Sequence, residues 1–348
     1  MREKVFVQKV GSVTSRLGSF SSVNVTSERR DAKVGDVVAV RALGESTSYG
    51  NLELPSGRLA KINRSDVLLG ALGKRRALKG FVGNVPKTIA AGDHLHLLNM
   101  GGVVGICEGH HSSFTDAIEL EVIGVVCDTS GKTLNIGDGA LVPTEKLAPS
   151  APIVLIGGSC MNSGKTVAAT EIIKQATAAG VNVAAAKISG VACLRDTLNM
   201  RDHGAFETAS FLDCGLPSTV DHEDLASVAK AILNHLNSLS PEMIVVEMGD
   251  GIVGGYSVDE VLKDKEIMAA VTSMVFCASD YVGVIGGADV LRSFGIEIDI
   301  VAGSVTDSQM GEDYIRERLG LEAGNARRDG KRLFELVAPK TDKARLAA

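Results

Sequence analysis

The residues with the most chemistry per unit length lie between Ile153 and Thr170, in IVLIGGSCMNSGKTVAAT. An apolar run, a loop of small residues and a Lys165-Thr166 pair follow one another without a break. Such a loop lets main-chain N–H groups converge on an anion, the lysine adds positive charge, and the threonine hydroxyl can join the shell of a divalent metal. The chemistry implied is the holding of a nucleotide polyphosphate by Ser159, Cys160, Met161, Asn162, Ser163, Gly164, Lys165, Thr166 and Val167. The string departs from G-x-x-x-x-G-K-[ST] at one place: Ser159 stands where the first glycine belongs, and the glycines are Gly157 and Gly158. Serine is small, so close approach of backbone to phosphate is kept.

A metal on Thr166 needs an acid, because Mg²⁺ is held through few carboxylates, water and the phosphates. Glu247 closes the apolar run MIVVE ahead of the small-residue loop MGDGIVGG, which makes it the first candidate and Asp250 the second. Lys187 ends a second apolar run, VNVAAAKIS, where a cation would face the γ-phosphate during phosphoryl transfer. Lys165 and Lys187 are therefore the candidate catalytic residues. Arg195 and Arg201 could clamp an anionic substrate.

These residues need a scaffold that brings strand ends together, and from residue 151 onward the pattern supplies one. Apolar strands alternate with helical periods: Ala168, Ile172, Ala176 and Ala179 form one stripe, and Leu225, Val228, Ile232 and Leu236 another. Helices are also expected over MRDHGAFETASFLDCG, SVDEVLKDKEIMAAV, GADVLRSFG and GEDYIRERLG, with strands at SMVFCAS and IEIDIVAG. Alternation of this kind predicts an α/β fold, a P-loop parallel sheet with helices on both faces, over residues 151–338. Ligands of such sheets sit at the carboxyl ends of the strands.

Before residue 147 the texture differs. Short β-rich runs crowd together, and Gly35-Asp36, Gly92-Asp93 and Gly137-Asp138 each mark a turn into an apolar stretch. A smaller all-β domain, a barrel or a sandwich, is expected over residues 1–146, with a weak internal repeat. The proline-bearing LVPTEKLAPSAP reads as a stiff connection between the two. The total of 348 residues supports two domains, since one core stops growing at roughly 250–300.

Composition narrows the partners. Hydrophobic residues make up 45% and charged ones 22%, with a net charge of −6, which suits a folded α/β protein and gives no basic surface for nucleic acid. No membrane span is expected. Six cysteines lack C-x-x-C spacing and the N-terminus lacks a signal-like apolar stretch, so reduced thiols in a cytoplasm are the expectation. His94 and His96, with His110 and His111, are read as half-exposed strand positions more readily than as a metal site, and KRRALKG as a solvated turn.

The order GSCMNSGKT, AAAKISG, RDTLNMRDHGA and VVEMGDG resembles the dethiobiotin synthetase branch of the P-loop NTPases, with cobyrinic acid diamide synthases and molybdopterin-guanine dinucleotide adaptor proteins in the same group. The resemblance covers about residues 151–320. It implies that Lys165 and Thr166 hold phosphate, that Thr166, Glu247 and Asp202 or Asp196 hold Mg²⁺, and that Lys187 lies near the reacting groups. It also implies a homodimer. No N-K-x-D string follows the last strand, at IVAGSVTDS, so ATP is expected over GTP. The function expected is ATP- and Mg²⁺-dependent activation of a small carboxylate-bearing metabolite by phosphoryl transfer, of the ligase or synthetase type. A nucleotide-hydrolysing switch or metal-delivery protein, or a small-molecule kinase, is the alternative.

Overall fold

Four turns in the first part of the chain use a single device. An aspartate carboxylate reaches back to accept the main-chain N–H three residues earlier: Asp36 from Lys33 (2.9 Å), Asp66 from Asn63 (2.6 Å), Asp93 from Ala90 (2.8 Å) and Asp138 from Asn135 (3.0 Å). Each aspartate N–H also donates to the carbonyl of that same earlier residue. The repeat read from Gly-Asp pairs thus has a fourth member, in which Ser65 takes the glycine's place with a left-handed φ of 71°.

The computed structural model describes residues 2–347, with side chains from residue 3 to residue 338. The chain divides into two compact units, the first made of Met1–Leu141 with Val191–Arg195 and Phe211–Val220, the second of Val142–Gly190, Asp196–Ser210 and Asp221–Ala348.

In the first unit, three of the aspartate turns lead into strands β1 (Val37–Ala42), β2 (Val67–Leu72) and β3 (His94–Leu97). With β4 (Val103–His110) and β5 (Glu119–Cys127) these pair in the circuit β1-β2-β4-β3-β5 and back to β1. A sheet that closes on itself is a barrel, so the expected choice between barrel and sandwich resolves to the former. Its interior is apolar: Val38, Val40, Leu68, Leu72, Leu95, Leu97, Val104 and Leu120 are all buried in one cluster. His94 and His96 alternate with buried Leu95 and Leu97 on β3 and so lie on the opposite face of the strand. The short segment Val191–Arg195 is fastened to this unit by buried Glu53, which accepts from Ser12 Oγ, from Cys193 Sγ at 3.0 Å, and from the N–H groups of Leu194 (2.7 Å) and Arg195 (2.9 Å).

The second unit is a six-stranded parallel sheet. Its strands are β6 (Ile153–Gly158), β7 (Val183–Lys187), β8 (Glu207–Ser210), β9 (Met243–Glu247), β10 (Val271–Cys277) and β11 (Ile300–Ala302), in the order β8-β7-β9-β6-β10-β11. Between and after them run α1 (Lys165–Ala178), α2 (Arg195–Asp202), α3 (Leu225–Asn237), α4 (Val258–Lys263), α5 (Lys265–Ala270), α6 (Tyr281–Ser293), α7 (Gln309–Leu319) and α8 (Gly330–Ala347). Val154, Ile156, Val275 and Cys277 form one core with Ile172 and Ala176 of α1 and Leu333 of α8. On the other face α6 crosses Phe276 so closely that a Cβ at Gly287 would lie 2.1 Å from the ring. Helices on both faces explain why every residue of β6 is buried. Among the described residues, no helix is long and apolar enough to cross a membrane.

Three expected elements differ. The stretch read as helix from Met200 to Gly215 ends α2 at Asp202, and Glu207–Ser210 then pairs with Ala184–Lys187 as an edge strand too polar to signal itself. The helix expected over residues 257–271 is broken at Asp264, whose carboxylate caps α5 by accepting from Glu266 and Ile267. The short helix of GADVLRSFG begins earlier, because Asp280 accepts from Gly283 N–H and starts α6 at Tyr281. LVPTEKLAPSAP is fastened along α3: Ser227 O accepts from Thr144 N–H, Lys230 Nζ donates to Glu145 O, and Asn234 and Asn237 accept from the N–H groups of Ala148 and Ala151.

Candidate functional site

Parallel register sets the carboxyl ends of four strands side by side. Lys187 lies opposite Glu247, Glu247 opposite Ile156, and Gly158 opposite Cys277. The chain leaves β6 through a loop anchored by Ser159 N–H donating to Cys277 O at 2.9 Å. Left-handed Asn162 and Gly164 then turn it into α1. Gly164 has no room for a side chain: a Cβ there would lie 2.9 Å from Gly303 Cα, and one on Gly303 would lie 2.2 Å from Ser163 O. Among the described residues, the main-chain N–H groups from Met161 to Thr166 donate no hydrogen bond. Together with the start of α1 they form a seat for an anion.

Lys165 is 5% exposed, and its Nζ donates to Cys160 O at 2.7 Å. Burial first, and then the nearby Lys187 ammonium, draw its pKa below the usual lysine value. A cation held against its own solvation is one that an incoming phosphate would relieve.

Thr166 Oγ1 donates to Glu247 Oε1 at 2.9 Å. Lys187 Nζ donates to that same oxygen at 2.8 Å and to Asp196 Oδ2 at 2.6 Å. Burial works against the Lys187 charge, but Asp196 and then Glu247 outweigh it and hold the pKa above the ordinary value. Glu247 is 1% exposed, and its second oxygen, Oε2, is buried with no hydrogen-bond partner among the described residues. An orphaned buried carboxylate oxygen is costly. A hard cation held by a hydroxyl, a carboxylate and phosphate oxygens answers it, and Thr166 with Glu247 fits Mg²⁺ on that ground. Asp250, half-buried with φ 62°, has its carboxyl pKa raised by burial, with Lys165 pulling the other way.

The remaining sequence candidates fall apart in space. The metal role read for Asp202 does not follow the geometry: α2 starts at Arg195, so Asp196 sits in its first turn and reaches Lys187, whereas Asp202 lies exposed at the helix end, about 9 Å further along the axis. Arg201 pairs with Glu207 on the surface, and Arg195 is exposed at the start of α2. His94 binds Glu119 and His110 binds Asp116, and among the described residues no group of three or more His, Cys, Asp or Glu side chains could hold a metal. KRRALKG is not a solvated turn: Arg75 is 3% exposed under the Tyr49 ring, and Arg76 bonds Gly83 O and Asn84.

Sequence reasoning missed a cleft beside the loop, lined by Asn162, Gly164, Val167, Ser304, Asp307 and Arg327 among others. The small-residue turn AGS after β11 was the available signal, since it parallels the turn after β6.

No family model matches the sequence, and no curated protein matches it. Among solved structures the chain is similar to chloroplast FtsY from Physcomitrella patens, at 13% identity and a TM-score of 0.36 over 53% of this chain and 61% of that one. It is similar to the 54 kDa signal recognition particle protein of Aeropyrum pernix K1 in complex with GDP (18%, TM-score 0.37, 59% and 52%) and to FtsY of Thermotoga maritima (15%, TM-score 0.38, 58% and 74%). The chain thus spans about three fifths of the first of these relatives. Likeness at this level carries no argument about activity, which is read from the site itself.

Proposed function

We propose that this protein binds a nucleoside triphosphate with Mg²⁺ and hydrolyses its terminal phosphoanhydride, water taking the γ-phosphoryl group as the bond to the leaving nucleoside diphosphate breaks. One observation carries the reading: buried Glu247 shares a single oxygen between Thr166, beside a loop of undonated amides, and Lys187, and leaves its other oxygen without a partner. The loop amides and Lys165 would bind the β- and γ-phosphates and orient them. Lys187, released from Glu247 toward the γ-phosphate, would offset charge as the bond to the leaving oxygen lengthens. Mg²⁺, held by Thr166 and Glu247, supplies Lewis-acid polarisation of the phosphate oxygens when bound.

The test is phosphate release from nucleoside triphosphates. Turnover should require Mg²⁺ and fall at least 100-fold in Lys165→Ala, a loss of the size expected when a principal electrostatic group is removed. Wild-type turnover without Mg²⁺, or unchanged rates in Lys165→Ala, would sink the proposal. Activation of a carboxylate-bearing metabolite uses the same cleft and is distinguished in the same assay. It requires phosphate release that waits on an added acid, with the acyl phosphate trapped by hydroxylamine.

A further inference from the structure

We infer that the cleft beside the phosphate loop selects guanine over adenine and that Asp307 reads the base; the inference rests on the nucleotide reading above. A nucleotide whose phosphates occupy the loop meets a cleft for its nucleoside half past Gly164 and Val167, where Ser304 and Asp307 form the opposite wall. That wall is tied to the loop itself: Ser304 N–H donates to Ser163 O at 3.3 Å, and Gly164 and Gly303 meet backbone to backbone.

The turn carrying Asp307 is fixed from beneath. Asn325, 3% exposed, donates to Thr306 Oγ1 and to Asp307 Oδ1, both at 2.9 Å, and accepts from the N–H groups of Arg327 (2.9 Å) and Arg328 (2.7 Å). Thr306 Oγ1 in turn donates to Gly303 O at 2.7 Å. Asp307 therefore keeps one orientation while its side chain stays 43% exposed, and among the described residues its other oxygen meets only the Arg327 guanidinium, at 3.8 Å. Each carboxylate oxygen retains a free lone pair.

A positioned carboxylate accepts and never donates, and that decides the base. Guanine presents two adjacent donors, N1–H and the exocyclic N2–H, which match two carboxylate oxygens. Adenine presents a donor beside the bare N1 lone pair, which would face the carboxylate. The N-K-x-D string is absent, but its absence does not remove a carboxylate that the turn after β11 delivers by another sequence, SVTD. The inference is the opposite of the preference for ATP expected from that missing string. A bidentate pair of this kind discriminates by roughly 5- to 150-fold.

The experiment titrates full-length protein, with Mg²⁺, against fluorescent GDP, ADP and XDP, and against unlabelled tripolyphosphate in competition. Wild type should bind GDP at least 10-fold more tightly than ADP. Asp307→Asn puts an amide donor beside the carbonyl and should lose that preference while gaining XDP, whose N1–H and O2 match it. Equal binding of GDP and ADP, or tighter ADP, overturns the inference and leaves the nucleotide reading standing. Binding of neither nucleotide nor tripolyphosphate overturns both. Should Asp307→Asn fail to fold, the wild-type GDP-to-ADP ratio still decides the matter.

Discussion

Removing the ammonium that joins Asp196 to Glu247 tests the site without any nucleotide. In Lys187→Met the two contacts, 2.6 and 2.8 Å, disappear, and the carboxylates are left facing each other's charge. Breaking a buried pair by deleting one partner costs about 3–5 kcal/mol. Asp196 is 23% exposed and regains water, whereas Glu247 at 1% cannot, so the lower end of that range applies. A loss of about 3 kcal/mol corresponds to a melting temperature lower by roughly 6–12 °C for a unit of this size. The variant has also exchanged a competing cation for an open anionic site. Mg²⁺ at about 100 times its Kd should return roughly 2.7 kcal/mol, nearly the whole deficit. In the wild-type protein the ammonium already occupies Glu247 Oε1, so the same Mg²⁺ should return less than half as much. Scanning calorimetry of both proteins, with and without Mg²⁺ and with no nucleotide, measures all four values. Equal Mg²⁺ shifts in the two proteins, or a Lys187→Met melting temperature within about 1 °C of wild type, would refute the reasoning.

Two further outcomes follow from the same electrostatics. The lowered pKa of Lys165 means that its charged form is disfavoured by folding, so the penalty is present at neutral pH and fades as pH rises from the folded pKa toward the ordinary lysine value near 10.5. The stability difference between Lys165→Met and wild type, from denaturant melts across the alkaline range, should shrink with rising pH, while nucleotide affinity of the wild type weakens over the same window; a flat difference contradicts the assignment. Burial pushes the thiols of Cys214 and Cys277 up to about 12, whereas Cys160 lies half-exposed in the phosphate loop. Alkylation near pH 8 followed by peptide mapping should modify Cys160 and spare Cys214 and Cys277, and saturating nucleotide should protect Cys160; alkylation of Cys160 at a rate unchanged by nucleotide would separate the loop from the ligand.

What could be read in the sequence is what neighbours in the chain decide. The strand into Gly158, the loop and the start of α1 at Lys165 are one continuous segment, and its composition alone fixes where an anion can sit. Glu247 and Lys187 were legible for a related reason: each ends an apolar run, and in a parallel sheet buried on both faces the end of such a run marks the carboxyl edge. The choice between Asp196 and Asp202 was not legible, because it depends on where α2 begins. The segment Val191–Arg195 that leads into it is held by Glu53, which accepts from the N–H groups of Leu194 and Arg195 and lies 141 positions from Leu194 in the chain. The base cleft was hidden in the same way. Asp307 owes its orientation to Asn325, and the turn that bears both it and Ser304 reaches the phosphate loop through the close approach of Gly164 and Gly303 and the hydrogen bond from Ser304 N–H to Ser163 O. A short motif reports a site when one segment builds it. When a carboxylate is presented by a turn, held by a second segment and docked on a third, the string around it is free to vary, and the geometry carries the chemistry that the missing letters concealed.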